Sequence, residues 1–205
     1  MSNWQETIGI IAGLLSLLGF IPYVVAIQQK KTQPNKATWC IWAIVGIILC
    51  TSYYLSGAIN TIWVPLALAI GHVVIAILAF IYGKGSWNSF DKTCILGAAI
   101  SLVLWWHYKS PLIALSINIA IDFLGALPTI RKSYREPETE DLLSWIIFLL
   151  AHTLNLIAIK QWSLSILAYP VYLFLTVATI VILLLRPKIG LLRSYYRYRR
   201  KRKSS

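Results

Sequence analysis

The chain has 205 residues, 58% of them hydrophobic and 13% charged, and its 19 Lys and Arg against 7 Asp and Glu give a net charge of +12. With a mean hydropathy of +0.69 it carries more apolar surface than a soluble domain of this length buries in one core, so a bilayer is the expected solvent. The three cysteines, Cys40, Cys50 and Cys94, are widely spaced in or near apolar runs and read as small packing residues, not as a disulfide framework or a metal cluster.

A helix needs about 20 residues to cross about 30 Å of hydrocarbon at a rise of about 1.5 Å per residue. Taken in chain order, the segments poor in charge predict seven such helices. The first runs from Thr7 to Gln29; the sequence before it has no basic region, so it reads as an anchor and not as a removed signal. Ala37 to Gly83 is long enough for two spans, with Ser56-Gly57-Ala58-Ile59-Asn60 as the turn between them. Thr93 to Tyr108 is the fourth, and Ser110 to Ile130 the fifth, with Asp122 inside it. Leu142 to Ile159 and Gln161 to Leu185 complete the set.

Basic residues stay on the cytoplasmic side of a membrane. With the N-terminus outside or lumenal, every Lys and Arg except Lys109 and Lys160 falls on the inner side, which sets the C-terminus in the cytoplasm. The tail after Leu185 mixes bases with Ile189, Leu191, Leu192, Tyr195, Tyr196 and Tyr198 and ends in Arg-Arg-Lys-Arg-Lys. A short helix on the inner leaflet, held by anionic lipid, accounts for it better than nucleic-acid binding does.

The strongest signal is a repeat. Gly19, Pro22 and Trp39 return 106 residues later, without a gap, as Gly125, Pro128 and Trp145. Internal repeats of this size are typical of transporter folds, with the substrate pathway between the copies. The first copy reads Gly19-Phe-Ile-Pro22-Tyr, then Gln28-Gln-Lys-Lys-Thr-Gln-Pro34-Asn35, then Thr38-Trp39 and Trp42; the second reads Gly125-Ala-Leu-Pro128-Thr, then Lys132-Ser-Tyr, Glu136-Pro137 and Ser144-Trp145. These strings resemble the signature of the SWEET and PQ-loop transporter superfamily. That resemblance implies an all-α membrane protein of seven transmembrane helices, arranged as two parallel three-helix bundles joined by a linker helix. The bundles would cover residues 1–83 and 110–186, with the linker at 84–109 and a basic cytoplasmic tail at 187–205. It further implies a uniporter or proton-coupled carrier of a small solute that works by alternating access.

Asp122 is the sharpest single residue. A lone carboxylate at mid-membrane must be paired, hydrated or protonated. Asn118 four residues earlier and Gly125 three later share its helix face, which should point inward. The string Asp122-Phe-Leu-Gly125 also resembles the second motif of proton-coupled lysosomal PQ-loop carriers, which implies that Asp122 is the proton-coupling site. A purely structural Asp that joins helices is the other reading. His72 and His152 lie at similar depth and could relay protons, bind solute, or ligate a b-type haem as a pair. Candidate solute contacts are Asn118, His72, His152, Asn155, Tyr53 and Thr176, with Tyr54, Tyr169 and Tyr172 as further vestibule residues. Pro22 and Pro128, with Tyr23, are candidates for an inner gate; alternatively, each Pro only ends its helix. Trp39, Trp42 and Trp145, with Trp4, Trp63, Trp105, Trp106 and Trp162, read as interfacial anchors.

No nucleophile elbow, His-Glu-x-x-His or phosphate loop is present, so an enzyme is not expected. The last span lacks the lysine a retinal pigment needs. The expected function is transport of a small neutral or zwitterionic solute, with no cofactor and no nucleic acid, and a homo-oligomer is open. A ligand-binding receptor or scaffold of the same fold is the alternative, and a bis-His haem protein a lesser one.

Overall fold

The computed structural model describes residues 4–55, 57–83, 88–107 and 111–203. Ser56, Lys84, Tyr108 and Lys109 lie outside them, as do the side chains of Trp105, Trp106 and the tail beyond Pro187. Among the described residues there are seven α-helices and no strand: α1 (Trp4–Gln28), α2 (Lys36–Leu55), α3 (Trp63–Tyr82), α4 (Ser89–His107), α5 (Pro111–Arg135), α6 (Leu142–Ile157) and α7 (Leu164–Lys203), with a single 3-10 turn at Pro137–Thr139. Three stretches, Trp4–Gln28, Trp63–Tyr82 and Leu164–Pro187, are long and apolar enough to cross a membrane, while the apolar parts of α2 and α6 are shorter. Leu14, Leu18 and Ile21 on α1, and Ile70, Ile77 and Phe80 on α3, are all more than half exposed; so much outward apolar surface on helices of this length suits lipid and not water.

Local chemistry sets the helix ends. Asn35 Oδ1 accepts a hydrogen bond from the Thr38 backbone N–H at 3.0 Å and starts α2; 106 residues on, Asp141 Oδ2 accepts from the Ser144 N–H at 2.9 Å and starts α6. Asn88 and Asp91 cap the start of α4 reciprocally, the Asp91 N–H donating to Asn88 Oδ1 at 2.9 Å and the Asn88 N–H to Asp91 Oδ2 at 3.4 Å. At the end of α1 the Lys31 N–H reaches the Ala26 carbonyl and the Lys30 N–H the Ile27 carbonyl, both at 2.9 Å. This terminating turn puts Lys30 at a φ of 58°, a left-handed position glycine usually fills. Pro22 and Pro128 do not end their helices, since α1 continues to Gln28 and α5 to Arg135. The tail is not a separate short helix: the helical backbone of α7 continues through Pro187 to Lys203.

Tertiary packing forms a closed circuit. α3 packs on both α1 and α2, α7 packs on both α5 and α6, and the circuit closes where α1 meets α6 and α2 meets α5. α4 lies outside it, against α5 and the edge of α2. Contact order gives the directions. Along α1 and α3, Gly13 meets Trp63 and then Phe20 meets Gly71, so the two run parallel. α5 and α7 are likewise parallel, with Asp122 meeting Tyr172 and Tyr134 meeting Arg186. α2 opposes α5, because Trp42 reaches Asp122 while Thr38 reaches Thr129. α1 opposes α6 in the same way, Phe20 meeting Phe148 and Tyr23 meeting Trp145.

Candidate functional site

The two copies of the repeat meet through reciprocal contacts. A Cβ on Gly125 would lie 2.9 Å from Ile41 Cγ2 and 3.0 Å from Trp42 Cδ1; a Cβ on Gly19 would lie 3.3 Å from Ile147 Cγ2 and 2.7 Å from Phe148 Cε1. Trp42 and Phe148 are themselves 106 apart, so the small residue on the first helix of each copy seats the aromatic on the second helix of the other. The Gln33 N–H donates to the Thr139 carbonyl at 3.1 Å, and these positions too differ by 106. Such self-complementary pairing is what a two-fold interface requires.

At the centre of the circuit is a cavity of about 30 Å³, room for one or two water molecules. Five aromatic side chains surround it in a closed sequence: Phe20 to Trp39 at 6.3 Å between ring centroids, Trp39 to Trp42 at 5.3 Å, Trp42 to Trp145 at 6.4 Å, Trp145 to Phe148 at 5.8 Å, and Phe148 back to Phe20 at 4.8 Å. His72 stacks on Trp42 at 5.2 Å, with its Nδ1 3.2 Å from the Trp42 carbonyl. Asp122 completes the wall. Its side chain is buried, Oδ2 accepts from the Tyr172 hydroxyl at 2.7 Å, and Oδ1 has no hydrogen-bond partner among the described residues. The Trp42 indole N–H donates to the Asp122 carbonyl at 3.0 Å, which fixes that ring beside the carboxylate.

Toward the loops rich in Lys and Arg the cavity is closed by a polar latch. Glu140, its side chain fully buried, accepts from Lys132 Nζ at 2.8 Å through Oε1, and from the Tyr23 hydroxyl at 2.9 Å and Trp145 Nε1 at 3.0 Å through Oε2. Lys132 Nζ donates as well to the carbonyls of Thr139 and Gln33, so one ammonium ties the α1–α2 connection to the turn after α5. One helical turn inward, Thr129 Oγ1 donates to Thr38 Oγ1 at 2.9 Å. At the opposite end a pocket of about 220 Å³ opens between Glu6, Asn60, Lys160 and Gln161. Its floor includes Thr61 and Ile166, and the Tyr53 hydroxyl bridges them, 2.9 Å from Thr61 Oγ1 and donating to the Ile166 carbonyl at 2.9 Å. Tyr169 packs on Tyr53 at 5.7 Å behind that floor.

Of the residues singled out in the sequence, Asp122, His72, His152 and Thr176 line the cavity. Asn118 and Asn155 do not. They sit about one turn from Asp122 and His152, fully buried, with both amide groups unpartnered among the described residues. Tyr53 belongs to the far closure, and Tyr54 is exposed. Tyr23 is in the latch, Pro128 is buried at the same end, and Pro22 is half-buried. The expectation that Trp39, Trp42 and Trp145 anchor the interface is wrong: all three are buried, Trp39 against Phe20, Tyr23 and His72 of its own copy, and Trp42 and Trp145 against each other across the two copies. His72 and His152 line the same cavity of about 30 Å³. The chain matches no protein-family model, no curated protein and no solved structure.

Glu140 and Phe148 were not singled out in the sequence, and Lys132 and Phe20 entered only as parts of the repeat strings. The shift of 106 that pairs Trp42 with Phe148 was the available signal, because interface positions of a duplicated fold come in such pairs.

Proposed function

We propose that the chain is a multi-pass membrane transporter, resembling the SWEET and PQ-loop superfamily, that moves a small polar solute by alternating access. In this reading all seven helices span the bilayer. α1–α3 and α5–α7 form two like-oriented bundles joined by α4, with the N-terminus outside or lumenal and the basic loops in the cytoplasm. The parallel course of α1 with α3 and of α5 with α7 supports it, as do the reciprocal contacts between the copies.

One observation carries the proposal: a buried carboxylate with an unpartnered oxygen faces a cavity that is closed at both ends by different hydrogen-bonded groups. A group that only joined helices would have its polar atoms satisfied. Here Asp122 Oδ1 is left for a proton or a solute, and the two closures are what an occluded carrier needs. Asp122 thus serves as the proton-coupling group. The titratable side chains beside it are Tyr169 and Tyr172 of α7, with His72 of α3 and His152 of α6 on the same cavity wall.

The experiment is transport into reconstituted vesicles that hold a pH-sensitive dye. A panel of sugars, amino acids and amines is added under an inward proton gradient. Solute-dependent proton movement is expected for the native chain. Asp122→Asn should abolish the gradient's acceleration while leaving solute exchange measurable. Unchanged gradient dependence removes Asp122 from coupling, and solute binding without flux favours a receptor of the same fold.

A further inference from the structure

The cavity wall has a distinctive chemical composition. Around one carboxylate stand the five linked rings of Phe20, Trp39, Trp42, Trp145 and Phe148, and neither Lys nor Arg is among the lining residues. The first two cations that follow on α5 are held elsewhere: Arg131 lies over the Phe90 ring at 4.7 Å, and Lys132 is committed to Glu140 and to the carbonyls of Gln33 and Thr139 at the latch. We infer that the group recognised in this cavity is the ammonium head of a small organic cation, paired with Asp122 Oδ1 and enclosed by the aromatic ring of side chains. The inference rests on the transport reading for its biological meaning, but not for its chemistry.

Three comparisons favour this class over others. A sugar presents many hydroxyls, each needing a partner once it leaves water, and the cavity offers few. Of its polar side chains, His72 Nδ1 already lies against the Trp42 carbonyl and Asp122 Oδ2 already accepts from Tyr172, which leaves Asp122 Oδ1, His152 and Thr176. An anion would face a carboxylate with neither Lys nor Arg among the described lining residues to hold it. A hard metal cation demands a shell of oxygens, whereas these walls are mostly carbon. A primary ammonium is attracted to the electron-rich rings of Trp and Phe, pairs with the one counter-charge present, and has Asp122 Oδ1, His152 and Thr176 as acceptors for its three N–H groups. The atom left without a partner is also the right one: an ionised carboxylate oxygen is purely an acceptor, so its ligand must donate or be positive.

The size of the cavity narrows the class further. At about 30 Å³, the room of one or two water molecules, it admits a primary ammonium carrying one carbon, and a larger head requires the rings to part. Methylammonium is therefore the first probe, with tetramethylammonium as the larger one.

The test is calorimetric titration of the full chain in detergent with methylammonium chloride, tetramethylammonium chloride, glucose and sodium acetate, sodium chloride serving as the ionic-strength control. Saturable binding of methylammonium is expected, with no heat from glucose or acetate beyond the control. Asp122→Asn should weaken methylammonium binding at least tenfold. Trp42→Leu should weaken it several-fold while leaving the carboxylate in place. Should Asp122→Asn fail to fold, Asp122→Glu, which keeps the charge, should retain binding within a few-fold, and Trp145→Leu replaces it as the loss variant. Binding of glucose or acetate comparable to that of methylammonium, no saturable binding of either amine, or equal affinity in the native chain and the variants each overturns the inference. If methylammonium binds as described but does not cross reconstituted vesicles, the ammonium site stands and the transporter reading falls. If another solute is carried and ammonium is ignored, the reverse holds.

Discussion

Replacing Lys132 with methionine should unlock the end of the circuit that carries the basic loops. Lys132→Met keeps most of the aliphatic stem but removes the charge that Glu140 Oε1 meets at 2.8 Å. At an effective dielectric constant of about 20, a pair at that distance attracts by about 6 kcal/mol, much of it offset by desolvation of both groups. Removing one partner leaves the other buried, and such losses run to about 3–5 kcal/mol. Lys132 is slightly exposed whereas the Glu140 side chain is not, so the penalty falls on Glu140. Because the ammonium also binds the Gln33 and Thr139 carbonyls, the loss is specific to the arrangement in which the two loops touch. A shift of this size changes the ratio of closed to open forms by about two to four powers of ten. The assay uses Thr176→Cys in a background without Cys40, Cys50 and Cys94, alkylated by a water-soluble maleimide. Thr176 lines the cavity, so its reactivity reports access to it. Labelling should rise at least tenfold with Lys132→Met, and Glu140→Gln in addition should restore part of the stability to denaturation by dodecyl sulfate. Unchanged labelling with a stability loss under about 1 kcal/mol would refute the idea that this ion pair holds the end shut.

At the opposite end, Tyr53→Phe removes the hydroxyl that joins Thr61 to the Ile166 carbonyl; a loss of about 1–2 kcal/mol and faster hydrogen exchange at the starts of α3 and α7 should follow, read by mass spectrometry. The paired caps should behave alike. Asn35→Ala and Asp141→Ala are each expected to cost about 1 kcal/mol in denaturant titrations, and a large inequality would mean that the copies do not share the cap's role. Lys30→Gly should stabilise the chain by about 1 kcal/mol in the same titration, because glycine adopts the left-handed φ of 58° without steric penalty. Gly125→Leu should push Trp42 off α5 and cost about 1–3 kcal/mol or more, with a change in tryptophan fluorescence to mark the displaced indole.

Long apolar runs pointed to helices in an apolar solvent, because a helix closes its backbone hydrogen bonds within its own segment, as hydrocarbon requires. The charge-free runs located the helices closely, and the helix starts are local events, Asn35 and Asp141 starting α2 and α6 by a bond to a residue three positions on. The inward face of Asn118, Asp122 and Gly125 was legible for the same reason, since a helix puts such spacings on one side. What the sequence left undecided are contacts between residues far apart in the chain. Tyr23 and Glu140 are 117 positions apart, and Trp42 and Asp122 are 80 apart. Whether a tryptophan near a helix end faces lipid headgroups or a neighbouring helix depends on which surface arrives opposite it. Packing decided that: helices of its own copy cover Trp39, and the mating of the two copies brought Trp42 and Trp145 inside and joined Tyr23 to Glu140 and Lys132 to the Gln33 carbonyl.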